Sequence, residues 1–237
     1  MKTVSRDDAT GVPGFLAFVA SRTDPEEPPM RRLTVLSLIA APALLLTSEL
    51  VSPDLSDNGT ESLAVVAAQP GRLSAWIWLG IASAVLFVPA VTGVARLLRR
   101  RGGVAGGVGA ALAVVGAFGY AVHQGLFLQL PALVEGDPAE MAALYERQGE
   151  SAAVAVVTFL LFLGPLMIGL LLLGIGLHRS GVAPLWPAVA IALAVLPSAV
   201  PLPVDVAFAP FVLLIAGMAG WAAAVLRGPR AGELVAA

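Results

Sequence analysis

The chain has 237 residues, 58% of them hydrophobic and only 13% charged, with a formal net charge of −2 and a mean hydropathy of +0.87. That balance excludes an ordinary soluble domain, whose polar shell carries about 25% charged residues, and a disordered chain, which is poor in apolar residues. The absence of cysteine removes disulfides, thiolate metal sites, cysteine nucleophiles and a lipoprotein anchor.

Residues 1–32 are polar and irregular. The run Thr23-Asp24-Pro25-Glu26-Glu27-Pro28-Pro29 reads as a disordered cytoplasmic tail. Phe15 to Ala20 is too brief to span a bilayer. Met30-Arg31-Arg32 before an apolar run has the form of a natural start, so 1–29 reads equally as a start-site extension. Six apolar segments follow, at about 33–52, 73–98, 104–130, 151–177, 182–200 and 204–226. Each approaches or exceeds the roughly 20 residues needed to cross a bilayer core. The fifth is the shortest and the most interrupted by proline. Residues 227–237 form a second cytoplasmic tail. The expected fold is therefore all-α: a polytopic integral membrane bundle of six transmembrane helices, with both termini inside. A cleaved signal peptide at Leu33 to Leu46 would leave five spans, but the segment is long and no A-x-A site follows it convincingly.

Orientation rests on the basic residues. With the N-terminus inside, Lys2, Arg6, Arg22, Arg31, Arg32, Arg96, Arg99, Arg100, Arg101, Arg179, Arg227 and Arg230 are cytoplasmic. Only Arg72 and Arg147 are outside. Twelve of the fourteen basic residues thus fall on one side. Arg99-Arg100-Arg101 is the firmest stop signal and reads as a topology determinant. In the outer loop 131–150, Asp137 can cap a helix, Pro138 fits its first turn and Glu140 lies three residues after the cap. Met141, Leu144 and Tyr145 then share one face, and Gly149 can end the helix. This predicts a short amphipathic helix on the outer surface or over the bundle. Leu63 to Ala68 is a similar, shorter piece. Asn58-Gly59-Thr60 matches a glycosylation sequon by chance. Trp76 and Trp78 at the outer side, and Trp186 and Trp221 at the inner side, read as interfacial belts.

Segment three carries small residues every four positions: Ala105, Gly109, Ala113, Ala117, Ala121 and Gly125. Small ridges let helices approach closely where lipid offers no hydrophobic drive for association. They predict a central packing helix, or a homo-oligomer face. Pro42, Pro89, Pro165, Pro187, Pro197 and Pro210 fall in or near the other segments, where proline removes a backbone donor and kinks a helix.

Ionisable groups inside a membrane are costly, which makes each a candidate site. Glu49 and His123 lie 17 and about 20 residues into outward-running helices. At 1.5 Å per residue both sit roughly 24–30 Å from the inner end, near the outer boundary. Asp205 opens segment six and Glu150 opens segment four on that side. On a helical wheel Gly116, Tyr120, His123 and Phe127 share a face turned away from Ala121, so His123 can face a cavity. The expectation is an outward polar pocket of Glu49, His123 and Asp205, with Tyr120 and Gln124 lining it. A Glu–His pair suits proton relay; interfacial snorkelling is the plainer reading. His178 lies at the inner end of segment four, too far from His123 to share a haem. No nucleotide, zinc-protease or nucleophile-elbow motif is present. Gly102 to Gly107 lacks the Lys-Ser/Thr of a phosphate loop. No cofactor, no metal and no nucleic-acid partner is expected.

Gly176-Leu177-His178-Arg179-Ser180-Gly181-Val182-Ala183-Pro184-Leu185-Trp186 resembles the inner loop of uncharacterised bacterial multipass proteins. The resemblance covers about a tenth of the chain and implies a multipass fold in the bacterial inner membrane, with the lipid bilayer as partner. The Arg-for-Lys bias also reads as a GC-rich bacterial genome. The expected function is a small permease-like or accessory membrane subunit with an outward polar pocket. The alternatives are a lipid-phase, isoprenoid-cyclase-like enzyme using Glu49 and Asp205 as acid and base, and a structural partner acting through segment three.

Overall fold

The computed structural model describes residues 28–98, 104–195 and 208–227. Residues 1–27 and 228–237 of the expected tails, the Arg99-Arg100-Arg101 stop signal, Pro197 and Asp205 lie outside the described residues, whereas Pro28 to Arg32, expected as irregular tail, form the start of the first helix. Helix α1 (Pro28–Val51), α2 (Gly59–Ala68), α3 (Pro70–Leu98) and α4 (Val104–Leu126) come first. After α4 the chain makes a 3-10 turn (Phe127–Gln129) into α5 (Leu130–Val134), and then forms α6 (Pro138–Gly149). Next come α7 (Ala152–Ala155), a π-helical stretch (Val156–Leu163), α8 (Gly164–Arg179), α9 (Trp186–Val195) and α10 (Ala209–Arg227). No strand occurs among the described residues.

Among the described residues, five helices are long and apolar enough to cross a membrane: Pro29–Val51, Pro70–Leu98, Val104–Val134, Ala152–Arg179 and Ala209–Arg227. Their exposed surfaces carry large apolar side chains such as Leu36, Val85, Phe118, Phe159, Leu160 and Val212, as a helical bundle in lipid requires. Of the expected fifth segment, 182–200, only the ten-residue α9 is described within a helix. At 1.5 Å per residue it covers about 15 Å, half a bilayer core.

The long elements close into a ring. Consecutively, α1 packs on α3, α3 on α4, α4 on α8, α8 on α9 and α9 on α10, and α10 returns to α1. Arg31 makes the closure. Its Nε donates to the Val225 carbonyl at 3.1 Å, and Nη2 donates to the Leu226 carbonyl. These are unpaired carbonyls at the end of α10, where the helix dipole also favours a cation. At the opposite end Arg72 Nε donates to the Val51 carbonyl, 3.0 Å away, and joins α1 to α3.

Three local features explain the helix boundaries. Asp137 Oδ1 accepts from the Ala139 and Glu140 backbone N–H groups at 3.1 Å, which starts α6. Asn58 Oδ1 caps α2 through the Glu61 N–H at 3.1 Å, so this residue of the apparent sequon has a structural job. Helix α8 stops at Gly181, whose φ of 69° lets Gly181 N bond the His178 carbonyl and Val182 N the Leu177 carbonyl, both at 3.0 Å. That paired arrangement is the usual glycine-dependent helix stop.

Packing corrects two expectations about side chains. Trp76 and Trp221 are core residues at 8% and 1% exposure, while Trp78 and Trp186 are exposed; only the latter two can form belts. On α6 the inward residue is Ala142, and Leu144 is exposed, because Gly59 of α2 lies directly against the Ala142 backbone. Among the prolines, Pro187 and Pro210 fall in first turns of α9 and α10, where a missing N–H is harmless. Pro42 and Pro89 are interior.

Candidate functional site

Two polar groupings lie toward the Arg72 end, on either side of one aromatic ring. The first is buried where α1, α3 and α4 meet. Ser48 Oγ donates to the Trp76 carbonyl at 2.8 Å and ties the last turns of α1 to α3. Glu49 follows, with its carboxyl beside the Trp76 indole and within electrostatic reach of Tyr120. Tyr120 and Gln124 stand one turn apart on α4, and Gln124 Nε2 donates to the Tyr120 hydroxyl at 2.9 Å. Gly80 makes this arrangement possible: a Cβ there would lie 2.4 Å from Gln124 Nε2. Gln124 Oε1 has no hydrogen-bond partner among the described residues, and the Trp76 indole N–H faces the Glu49 carboxyl.

The second grouping surrounds His123 and is open. A cavity of about 490 Å³ is lined by His123, Phe127, Asp57, Glu146, Glu150, Tyr145, Gln148 and neighbouring apolar residues. Its roof is the α2–α6 pair. Gly59 N donates to Glu146 Oε1 at 2.9 Å, and the Tyr145 hydroxyl donates to the Ser56 carbonyl at 3.3 Å. Gln129 and Gln148 bond side chain to side chain and link the roof to the end of α4.

His123 is held from both sides. Its Nδ1 lies 3.1 Å from Thr158 Oγ1, and Thr158 belongs to the π-helical stretch. The wider π turn ends immediately before Gly164-Pro165. Proline cannot donate to the preceding turn and collides with its carbonyl in a regular helix; a π segment relieves both problems, and such segments often mark functional sites. The stretch also passes very close to α4, where a Cβ on Gly119 would lie 2.1 Å from the Leu161 carbonyl oxygen. Phe162 then stacks on Tyr120 at 4.7 Å and on His123 at 5.7 Å. Phe127 is the partition between the groupings, edge-on to Trp76 at 4.6 Å and to His123 at 5.3 Å.

The expected pocket is thus distributed. Glu49, Tyr120 and Gln124 come together in the buried grouping, where Tyr120 and Gln124 are 4% and 1% exposed. His123 faces the cavity on the other side of Phe127. Asp205 is outside the described residues. Sequence reasoning missed Trp76 and Ser48, as well as Thr158 and Asp57. A Trp two residues from another Trp, at a helix end, gave no sign of which one turns inward. Among the described residues, no three His, Asp or Glu side chains are grouped to hold a metal ion. No family model, curated protein or solved structure matches the chain.

Of the small-residue ridge, Gly109, Ala113 and Ala117 are buried. Gly109 and Gly169 of α8 meet backbone to backbone. Gly125 has nothing within 4 Å of where its Cβ would be. Four-residue steps advance about 40° around a 3.6-residue helix, so a strict four-residue ridge winds off the contact. The face that remains in contact with α8 and the π stretch is Gly106, Gly109, Ala113, Gly116 and Gly119, in steps of three, four, three and three.

Proposed function

We propose that the protein is a multi-pass plasma-membrane protein of the permease-like class, with six crossings, both termini cytoplasmic and the His123 cavity opening outward. The crossing number is supported by Arg31 and Val225. The start of α1 and the end of α10 lie at one end of the bundle, which supports an even number of passages and a sixth that begins with α9. Arg31, Arg32, Arg96, Arg179 and Arg227 belong to that end, and Arg72 and Arg147 to the other. This is the asymmetry of a chain with the Arg31 end in the cytoplasm. Single-cysteine variants test it cleanly in a chain without native cysteine. Ala67→Cys should react with a membrane-impermeant maleimide on intact cells, and His178→Cys only after permeabilisation. The reverse pattern refutes the orientation.

The cavity carries the functional reading. Its carboxylates, Asp57, Glu146 and Glu150, stand among the rings of Phe127, Tyr145 and His123. Carboxylates beside aromatic faces favour a small organic cation, through charge and cation–π attraction. A ligand that binds only the folded state raises stability by RT ln(1 + [L]/Kd). Protein in lipid nanodiscs should therefore unfold at higher temperature with small organic amines and not with matched carboxylates. Glu150→Gln and Asp57→Asn should reduce the effect. Equal response to both solute classes refutes the reading. The acid–base enzyme alternative requires Glu49 and Asp205 at one cavity, and Glu49 does not line this one.

A further inference from the structure

We propose that the grouping of half-buried Glu49 with buried Trp76, Tyr120 and Gln124 is a second site, separate from the amine cavity, that binds one monovalent cation, either a proton or an alkali ion. It rests on the membrane reading and not on the identity of the solute in the outer cavity.

The first support is an unbalanced charge. Glu49 lies in a membrane-crossing helix and has no basic partner among the described residues. The nearest candidate in the chain, Arg72, is already committed, with Nε on the Val51 carbonyl at 3.0 Å and Nη1 on Gln69 Oε1 at 3.1 Å. A carboxylate in apolar surroundings needs a compensating positive charge. The groups near Glu49 are Ser48 on α1, Trp76 on α3 and Tyr120 on α4; the sole charged residue of α10, Arg227, is at the opposite end.

The second support is a free acceptor. Gln124 is 1% exposed, and its Oε1 is unpartnered although its Nε2 is fixed on Tyr120. Buried acceptors in native proteins nearly always have a partner, and an exception points to a bound water or ion. The available oxygens are the Glu49 carboxylate, Gln124 Oε1 and the Tyr120 hydroxyl, the donor set that suits a hard monovalent ion or a shared proton. The Trp76 indole N–H faces the same carboxyl and supplies a donor to the oxygen that the cation leaves free. Gly80 lets α3 pack directly on the Gln124 amide, and the Phe127 ring stands between Trp76 on this side and His123 on the cavity side.

Trp76 is a built-in reporter. Protein in nanodiscs is titrated in two arms: sodium chloride added against osmotically matched sucrose at fixed pH, and pH varied in sucrose without alkali salt. The expected result is a saturable change in tryptophan fluorescence in one arm, sodium for an alkali ion or pH for a proton. It should be absent in Trp76→Phe and Glu49→Gln, weakened in Glu49→Asp and retained in Glu150→Gln, with each variant's fold checked by thermal unfolding. If neither arm gives a change, or if folded Glu49→Gln responds as the parent does, the proposal is overturned. Loss of amine stabilisation in Glu150→Gln with the ion response intact separates the fate of this site from that of the outer cavity.

Discussion

Gly109 and Gly125 sit on one helix with one residue type and opposite surroundings, so Gly→Ala at each isolates the helix contact. At Gly109 a Cβ would lie 2.5 Å from Leu173 N and 2.7 Å from the Gly169 carbonyl oxygen, while ordinary contact begins at 3.4 Å. The helices must therefore part or tilt by about 0.7–0.9 Å (3.4 − 2.7 and 3.4 − 2.5). The obstructing atoms are backbone and have no rotamer to change. At Gly125 the methyl meets nothing within 4 Å. Both substitutions gain the same helix propensity, about 0.8–1 kcal/mol, so it cancels in the comparison. The difference is the overpacking cost alone, about 1–3 kcal/mol. Equilibrium unfolding in mixed micelles, followed by circular dichroism, should place Gly109→Ala below Gly125→Ala by that amount. Agreement of the two within about 0.5 kcal/mol, the usual scatter of a neutral surface change, refutes the backbone contact between α4 and α8.

Arg31→Ala removes the fork that closes the ring and should cost about 1–2 kcal/mol, from lost charge-assisted bonds at a helix end; Arg31→Lys should recover only part of this in the same unfolding assay, because it cannot bridge two carbonyls. Gly59→Ala sets a methyl 2.3 Å from the Ala142 carbonyl oxygen and should prise α2 from α6. Maleimide should then modify a cysteine placed at Val154, in the cavity wall, faster than in the parent with that same cysteine. Gly80→Ala displaces the Gln124 amide and should abolish the ion-dependent fluorescence change while leaving amine stabilisation in place. Pro165→Ala restores the missing donor and should shift the π stretch toward regular helix. That shift turns Thr158 off His123, which can be followed as reduced disulfide formation between cysteines at 123 and 158.

How much of this was legible in the sequence depended on whether the signal was a property of one helix or of two. Long apolar segments, the Asp137 cap and the Gly181 stop are one-helix properties, and their residues state them outright. The partner of a side chain is a two-helix property. Trp76 and Trp78 are equivalent by composition and depth; which is buried depends on α1 and α4 lying to one side of α3. The ridge Ala105 to Gly125 was a correct observation of small residues read with the wrong period, since a contact face follows 3.6 residues and not four. The residue count expects Glu49 and His123 at similar depth. Depth gives no azimuth, and the ring of Phe127, itself on the His123 face of the wheel, stands between them.

The Arg31 closure spans 194 residues of sequence. During synthesis α1 leaves the ribosome well before α10, so the ring remains an open arc until α10 is inserted. Until then the Arg31 guanidinium and the inward faces of α1 and α10 have no counterpart. A chain shortened by even the last turn of α10 would lose the carbonyls of Val225 and Leu226 and leave that arc permanently unlatched. Quality-control proteases that sample exposed small-residue helix faces would then meet a seam in a truncated molecule that the full-length one hides.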